Sequence, residues 1–303
     1  MIFKFLRMDI DQLKNLLQRY GLKPNFTYGQ NFLIDDIVLE DIVDAAEVTS
    51  TDTVLEIGPG IGNLTRRLCE RAGSVLSVEK DPAMLPILKA IKKEFKNFRY
   101  EISDILGFDF QSALVQGSGP LQRGAPEGEK PVLGSPLRGK YKVVANIPYY
   151  ITGKILQMLV TAKVKPSSIT ILTQKEVARN VIARAGGLSL LAISVQLYGD
   201  PEIVRIVPAR SFYPAPKVDS AVLKIILHDK PKYDIGDEKK FFGVLRACFA
   251  GKRKQIHNTL RDNLVLDKDR VEKILADSKI SPAARPQELT IEQWVSLAGK
   301  IKI

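Results

Sequence analysis

Val54-Leu55-Glu56-Ile57-Gly58-Pro59-Gly60-Ile61-Gly62 carries an apolar run straight into three alternating glycines, after which Leu64, Leu68 and Cys69 recur at helical spacing. That is the pattern of a strand, a glycine turn and a helix, the opening unit of an α/β sheet. The fingerprint for a dinucleotide would put its third glycine where Asn63 stands, so a pyrophosphate ligand is disfavoured. Glycines in such a turn let the backbone approach a nucleoside closely, with no Cβ in the way. Ser74 to Val78 reads as the next strand and ends at Glu79, about twenty residues after the turn, where a carboxylate can accept both ribose hydroxyls. Phe98 to Ile102 reads as a third strand, closed by Ser103-Asp104, and Asp104 can receive an adenine amine. Each acid alone is only a strand-end cap. Three successive units ending in the right residue types point together to a nucleoside cofactor.

A second decisive stretch is Val143-Val144-Ala145-Asn146-Ile147-Pro148-Tyr149-Tyr150. A short β-branched run breaking at Asn-x-Pro-Tyr suggests a buried strand that ends where open α/β sheets place their ligands. An exocyclic adenine amine is a poor nucleophile because its lone pair is delocalised into the ring. An amide oxygen and a neighbouring backbone carbonyl that accept the two amine hydrogens favour a more tetrahedral nitrogen. Asn146 and the backbone beside Pro148 supply such groups, and Tyr149 supplies a surface for a base. Four residues by themselves more often mark a strand-to-loop turn with a capping Asn and a packing Tyr.

Around these stretches the chain divides into three parts. Residues 1–27 form a helical arm with Leu13, Leu16 and Leu17 on one face, 28–229 the α/β domain, and 230–303 a small all-helical domain. Residues 112–140 crowd Gly and Pro and hold the near-repeat Gly117 to Gly124 and Gly134 to Gly139, which reads as a flexible insertion. Ile169 to Leu172 is a further strand. Ile203 to Val207 and Ala221 to Leu227 flank a proline-rich loop, Ser211 to Val218, too short for a covering helix, and so should pair antiparallel. Lys252-Arg253-Lys254 forms a basic elbow between two apolar helical stretches, one through Phe241, Leu245 and Cys248 and one through Ile256, Leu260 and Leu264. Such an elbow is either a solvated turn or a phosphate contact.

Composition narrows the partners. In 303 residues, Lys+Arg 45 against Asp+Glu 34 gives a net charge of +11, which favours a polyanion such as nucleic acid. Two cysteines and two histidines, far apart, make no metal set and suit a reducing cytoplasm. Met1 to Met8 is too short and too soon followed by Asp9 and Asp11 for a signal peptide, and no apolar run reaches spanning length.

Taken together, the chain from about Tyr28 to Leu297 resembles the small-subunit ribosomal RNA adenine dimethyltransferases. The likeness rests on Gly29-Gln30-Asn31-Phe32-Leu33, Glu56-Ile57-Gly58-Pro59-Gly60, Val78-Glu79, Asp104, Asn146-Ile147-Pro148-Tyr149, Gln174 to Ala178, Phe212 to Ser220, Lys252 to Lys254 and Arg285 to Leu289. The resemblance implies a Rossmann-like, seven-stranded S-adenosylmethionine-dependent methyltransferase domain followed by a small helical one. It implies cofactor contacts from Asn31, Leu33, Gly58, Gly60, Glu79, Asp104 and Asn146, with no metal. Asn146 would lie between cofactor and target base, with the flipped base stacked between Tyr149 and Phe212, and Lys217, Lys252, Arg253 and Lys254 on RNA. The implied reaction is dimethylation of two adjacent adenines in small-subunit rRNA of an immature ribosomal subunit, by a cytoplasmic monomer. Two rivals share parts of the pattern: a large-subunit rRNA methyltransferase of the macrolide-resistance type, and a non-catalytic assembly or transcription factor on the same fold. The long insertion and the short segment Arg184 to Leu188 depart from the family pattern and bear on how RNA is held.

Overall fold

The computed structural model of the chain describes residues 8–115, 141–251 and 253–301, so residues 116–140 of the expected insertion and Lys252 of the elbow lie outside it. Nine strands follow in chain order among the described residues: β1 (Phe32–Leu33), β2 (Thr53–Ile57), β3 (Ser74–Glu79), β4 (Phe98–Ile102), β5 (Lys142–Asn146), β6 (Ser168–Gln174), β7 (Gly199–Val207), β8 (Phe212–Tyr213) and β9 (Ser220–Leu227). The helices that precede the C-terminal set are α1 (Ile10–Arg19), α2 (Asp36–Ala45), α3 (Asn63–Arg71), α4 (Leu85–Glu94), α5 (Phe110–Val115), α6 (Thr152–Val160) and α7 (Lys175–Val181).

Seven strands form one sheet in the order β4-β3-β2-β5-β6-β9-β7. Pairing is parallel from β4 through β6, and β9 joins β6 antiparallel. Val143, Val144 and Ala145 of β5 and Val54 and Leu55 of β2 are wholly buried, as central strands covered on both faces must be. The strand order reverses between β2 and β5, and ligands of open α/β sheets bind beyond the carboxyl ends of the strands at that reversal. Ile57 is in register with Ala145, so Gly58 and Asn146 leave the sheet side by side.

Two elements run differently from the sequence reading. Phe212-Tyr213, expected within an irregular loop, forms β8 and pairs antiparallel with β1, Leu33 opposite Phe212 and Phe32 opposite Tyr213. Two-residue strands have no periodicity to read, and their partners are far apart in sequence. The helix α8 (Leu190–Tyr198) is likewise unmarked in the sequence; its residues are almost uniformly apolar and buried, which blurs any amphipathic pattern.

Two compact units result, one holding the chain up to Ala178 with Glu202–Leu227, the other Arg179–Pro201 with the chain from His228 onward. In the first, α2 and α3 are laced by ion pairs: Arg67 with Asp36 and Glu40, and Arg71 with Glu40 and Asp44. In the second, α8 is joined by α9 (Glu238–Ala250), α10 (Ile256–Leu264), α11 (Lys268–Asp277) and α12 (Ile291–Lys300). Their apolar faces enclose Trp294, which is wholly buried and stacks on Phe249 with ring centres 5.4 Å apart. Asp237, Asp267 and Thr290 cap α9, α11 and α12 with side-chain oxygens on free amides.

Candidate active site

At the reversal of strand order, the loops after β2, β3, β4 and β5 enclose a cavity with β1 and the turn before it. The glycine turn sets its floor. Gly58, Gly60 and Gly62 all take positive φ, which an L side chain rarely adopts. A Cβ on Gly60 would stand 3.3 Å from the Phe32 ring, and one on Gly62 only 2.1 Å from Ile91 Cδ1. Asn63 Nδ2 donates to the Leu33 carbonyl at 3.0 Å and so ties β1 to the first residue of α3. Asn31 and Leu33 thereby line the cavity beside Gly58 and Gly60.

Two acids border the same space. Glu79, at the end of β3, is only 7% exposed; its Oε2 accepts the Gly60 amide at 3.0 Å and its Oε1 the Asp81 amide at 2.8 Å. Burial pushes the Glu79 carboxyl above the usual carboxylate range, and the two amides pull against that shift. Asp104, after β4, pairs with Lys80 at 2.8 Å and accepts the Leu106 amide at 3.1 Å. The Lys80 ammonium, then that amide, hold Asp104 below its usual range. Each carboxylate oxygen retains a lone pair for another donor. A glycine cradle between two such acceptors fits a nucleoside with a charged tail.

Asn146 lines the cavity from the β5 side, and its Nδ2 donates to the Asn31 carbonyl at 3.4 Å. A carbonyl partner can face only the nitrogen of the amide, which leaves the Asn146 oxygen to accept. Tyr149 also lines the cavity, its hydroxyl 2.7 Å from Ser220 Oγ at the start of β9, and burial raises its pKa. Phe212 does not join them. Its residue is 3% exposed within the core around the β1–β8 pair and is not among the residues that line this cavity. Lys217 is exposed on the loop after β8. In the second unit Arg253 and Lys254 are exposed between α9 and α10, with Lys254 paired to Asp262 at 3.0 Å.

Three further residues belong to the site's framework. Gln30 reads as a loop cap in the sequence, yet its Nε2 donates to the buried Asp81 at 2.7 Å across 51 residues. Lys80 is the partner of Asp104, and no local pattern marks it. Glu56, in β2, is wholly buried beside this framework; its Oε2 accepts the Ser77 hydroxyl at 2.5 Å, and burial raises its carboxyl to about 7.

Sheet order, glycine cradle and paired acids together define a Rossmann-like methyltransferase of the S-adenosylmethionine-dependent class. Within that class the chain belongs to the ribosomal RNA adenine dimethylase family, whose sequence model matches residues 21–302. A ribosomal RNA small subunit methyltransferase A from Dehalococcoides mccartyi (strain CBDB1) is 39% identical over 94% of this chain and 91% of its own. Among solved structures, a dimethyladenosine transferase from Plasmodium falciparum is 25% identical, covering 87% of this chain and 94% of its own with a TM-score of 0.64. The 23S rRNA methyltransferase ErmE is 28% identical, covering 89% and 99%, with a TM-score of 0.63. The chain is an S-adenosylmethionine-dependent rRNA adenine dimethyltransferase.

Proposed function

We propose that this enzyme dimethylates the N6 amines of two adjacent adenines in the rRNA of an immature small ribosomal subunit, acting as a monomer in the cytoplasm. The observation that carries the chemistry is the Asn146 amide oxygen, freed by the Nδ2 contact to Asn31 and standing beside Gly58 at the strand reversal. The small-subunit substrate rests on the named relative that is 39% identical along nearly the whole chain.

S-adenosylmethionine, when bound, supplies an electrophilic methyl carbon. Glu79 would accept its ribose hydroxyls and Asp104 its adenine amine, while Gly58 and Gly60 admit the methionine end and Asn31 and Leu33 close over it. The Asn146 oxygen and the Ile147 carbonyl accept the two hydrogens of the target amine and so direct its lone pair to the methyl carbon. Tyr149 offers its ring to the flipped base, held in place by the bond to Ser220. No side chain need act as a base, because the alkylated amine is strongly acidic and loses its proton to water. After the first transfer one hydrogen remains, so only one of the two acceptors stays engaged, and the C–N bond must rotate before the second. In this reading residues 28–229 hold cofactor and base, and the helical residues from 230, with Arg253 and Lys254, hold RNA, together with Lys217 and Lys252.

Incubating the protein with labelled S-adenosylmethionine and either immature small subunits or large-subunit RNA tests the reading. Label in dimethyladenosine of the small-subunit rRNA is expected. Transfer to large-subunit RNA alone, in keeping with the likeness to ErmE, would overturn the substrate, and no transfer to either would overturn the activity.

A further inference from the structure

Phe26 is 82% exposed on the short turn Phe26–Tyr28, yet the turn that presents it is firmly held. Asn25 Oδ1 accepts the Thr27 amide at 2.9 Å, and the Asn25 carbonyl accepts the amides of Tyr28 and Gln30, both at 3.2 Å. The Gly29 amide closes the turn on the Phe26 carbonyl at 3.0 Å. From this turn a line of hydrogen bonds runs into the cavity wall. The Asn25 amide donates to Gln30 Oε1 at 2.9 Å, Gln30 Nε2 to Asp81 at 2.7 Å, and the Asp81 amide to Glu79 at 2.8 Å.

A singly exposed apolar side chain is ordinary, and position is what distinguishes Phe26. The Gly29 amide bonds to the Phe26 carbonyl, so Phe26 stands one turn away from Gly29, which ends the turn in the left-handed conformation. At Gly29 no side chain stands, and the space a Cβ would take is bordered by Pro148 Cβ at 3.2 Å and the Tyr150 ring at 3.4 Å. Tyr150 is itself 59% exposed and lines the cavity. Phe26, one hydrogen-bonded turn from Gly29, and Tyr150, which Gly29 packs against, are thus two exposed rings next to residues that line the cavity. Lys80 lines the cavity, paired with Asp104 at 2.8 Å, and Lys154 is exposed on α6, in a chain of net charge +11.

We propose that Phe26 and Tyr150 form a stacking platform for a nucleobase next to the target adenine in single-stranded RNA. The inference rests on the rRNA reading above and adds a contact to it. Every base offers a π face, so the platform tolerates sequence, and its backbone is already ordered, so little freedom is lost on binding. With one neighbour stacked at the lip, the flipped adenine has its own stacking partner withdrawn and enters the cavity more readily.

The full-length protein would be titrated with a short single-stranded RNA carrying 2-aminopurine beside an adenine, reading anisotropy and 2-aminopurine fluorescence. Phe26→Ala should weaken RNA binding by about 5-fold or more, the low end for one base–aromatic stack, and relieve the quenching. Phe26→Trp should retain both, and Phe26→Leu, apolar without a π face, should behave as alanine does. Affinity for S-adenosylhomocysteine should be unchanged in all three, since the ring is outside the cavity lining. Wild-type affinity and quenching in Phe26→Ala, or in Phe26→Leu, would overturn the platform. Methylation of small-subunit rRNA by the wild type, run alongside, separates the two failures: if it proceeds and Phe26→Ala matches it in RNA binding, only the platform falls; if it is absent, the rRNA reading falls with it.

Discussion

Glu79 and Gly60 meet through a 3.0 Å bond from the Gly60 amide to Glu79 Oε2. The acid at the end of β3 is thus fastened to the glycine turn that follows β2, and one side chain both shapes the cradle and faces the ligand. Its second oxygen, on the Asp81 amide, extends the same framework toward Gln30 and the turn that carries Phe26.

Replacing Glu79 by alanine removes an acceptor from the ribose and leaves the Gly60 amide unpaired. Hydrogen bonds to charged groups contribute about 1.5–3 kcal/mol each, so the dissociation constant for S-adenosylhomocysteine should rise about 10-fold or more. Calorimetry on the folded variant reads this directly. An unchanged constant would take Glu79 out of the cofactor site.

Asn146→Ala should leave cofactor affinity within a few-fold of the wild type and lower single-turnover methylation by about 10²-fold, the usual cost of one oriented polar group at a transition state. Serine at the same position retains an oxygen but on a shorter arm and should not restore the rate. Wild-type turnover in the alanine variant would sink the amine-orienting role.

Glu56 makes stability depend on pH. Burial, the larger influence, and the Glu79 charge raise its carboxyl to about 7 while the Ser77 hydroxyl pulls it down. A carboxyl raised on folding binds its proton better in the native state, so no stability is lost below the ordinary value of 4.5, and stability falls as pH climbs from there to about 7. The full loss is on the order of 3 kcal/mol at 1.36 kcal/mol per pH unit. Glu56→Gln should flatten that slope, bringing the variant's urea midpoint level with or above the wild type at pH 8. Parallel pH profiles for the two proteins would show that Glu56 titrates normally.

At the basic elbow, neutralising Arg253 and Lys254 should flatten the dependence of log RNA affinity on log salt by about 0.7–0.9 for each phosphate that is no longer neutralised. Asp262→Ala serves as the opposite control, since it frees Lys254 from an exposed ion pair that itself contributes about 0–1 kcal/mol. Superimposable salt plots for the double alanine variant and the wild type would mean that RNA docks elsewhere, with Lys217 the next residue to change.

Much of this is legible in the linear sequence because it depends on neighbours in the chain. Strand β2, its glycine turn and α3 follow from an apolar run, three alternating glycines and helical spacing. Glu79, Asp104 and Asn146 stand at strand ends, and a parallel sheet gathers its carboxyl ends on one edge, so the pattern of strands is enough to name these residues as flanking the cavity. Only tertiary structure decided the rest. Phe212 went to the core because β8 pairs with β1 across about 180 residues, and strands of two residues carry no pattern to announce it. Gln30 gained Asp81, Tyr149 gained Ser220 and Asp104 gained Lys80 by the same route: a hydrogen bond needs two groups within about 3 Å, and sequence spacing does not fix that distance between segments that meet only when the sheet closes. The sequence determined which residues reach the edge of the sheet, and packing determined which of them remain free to touch a ligand.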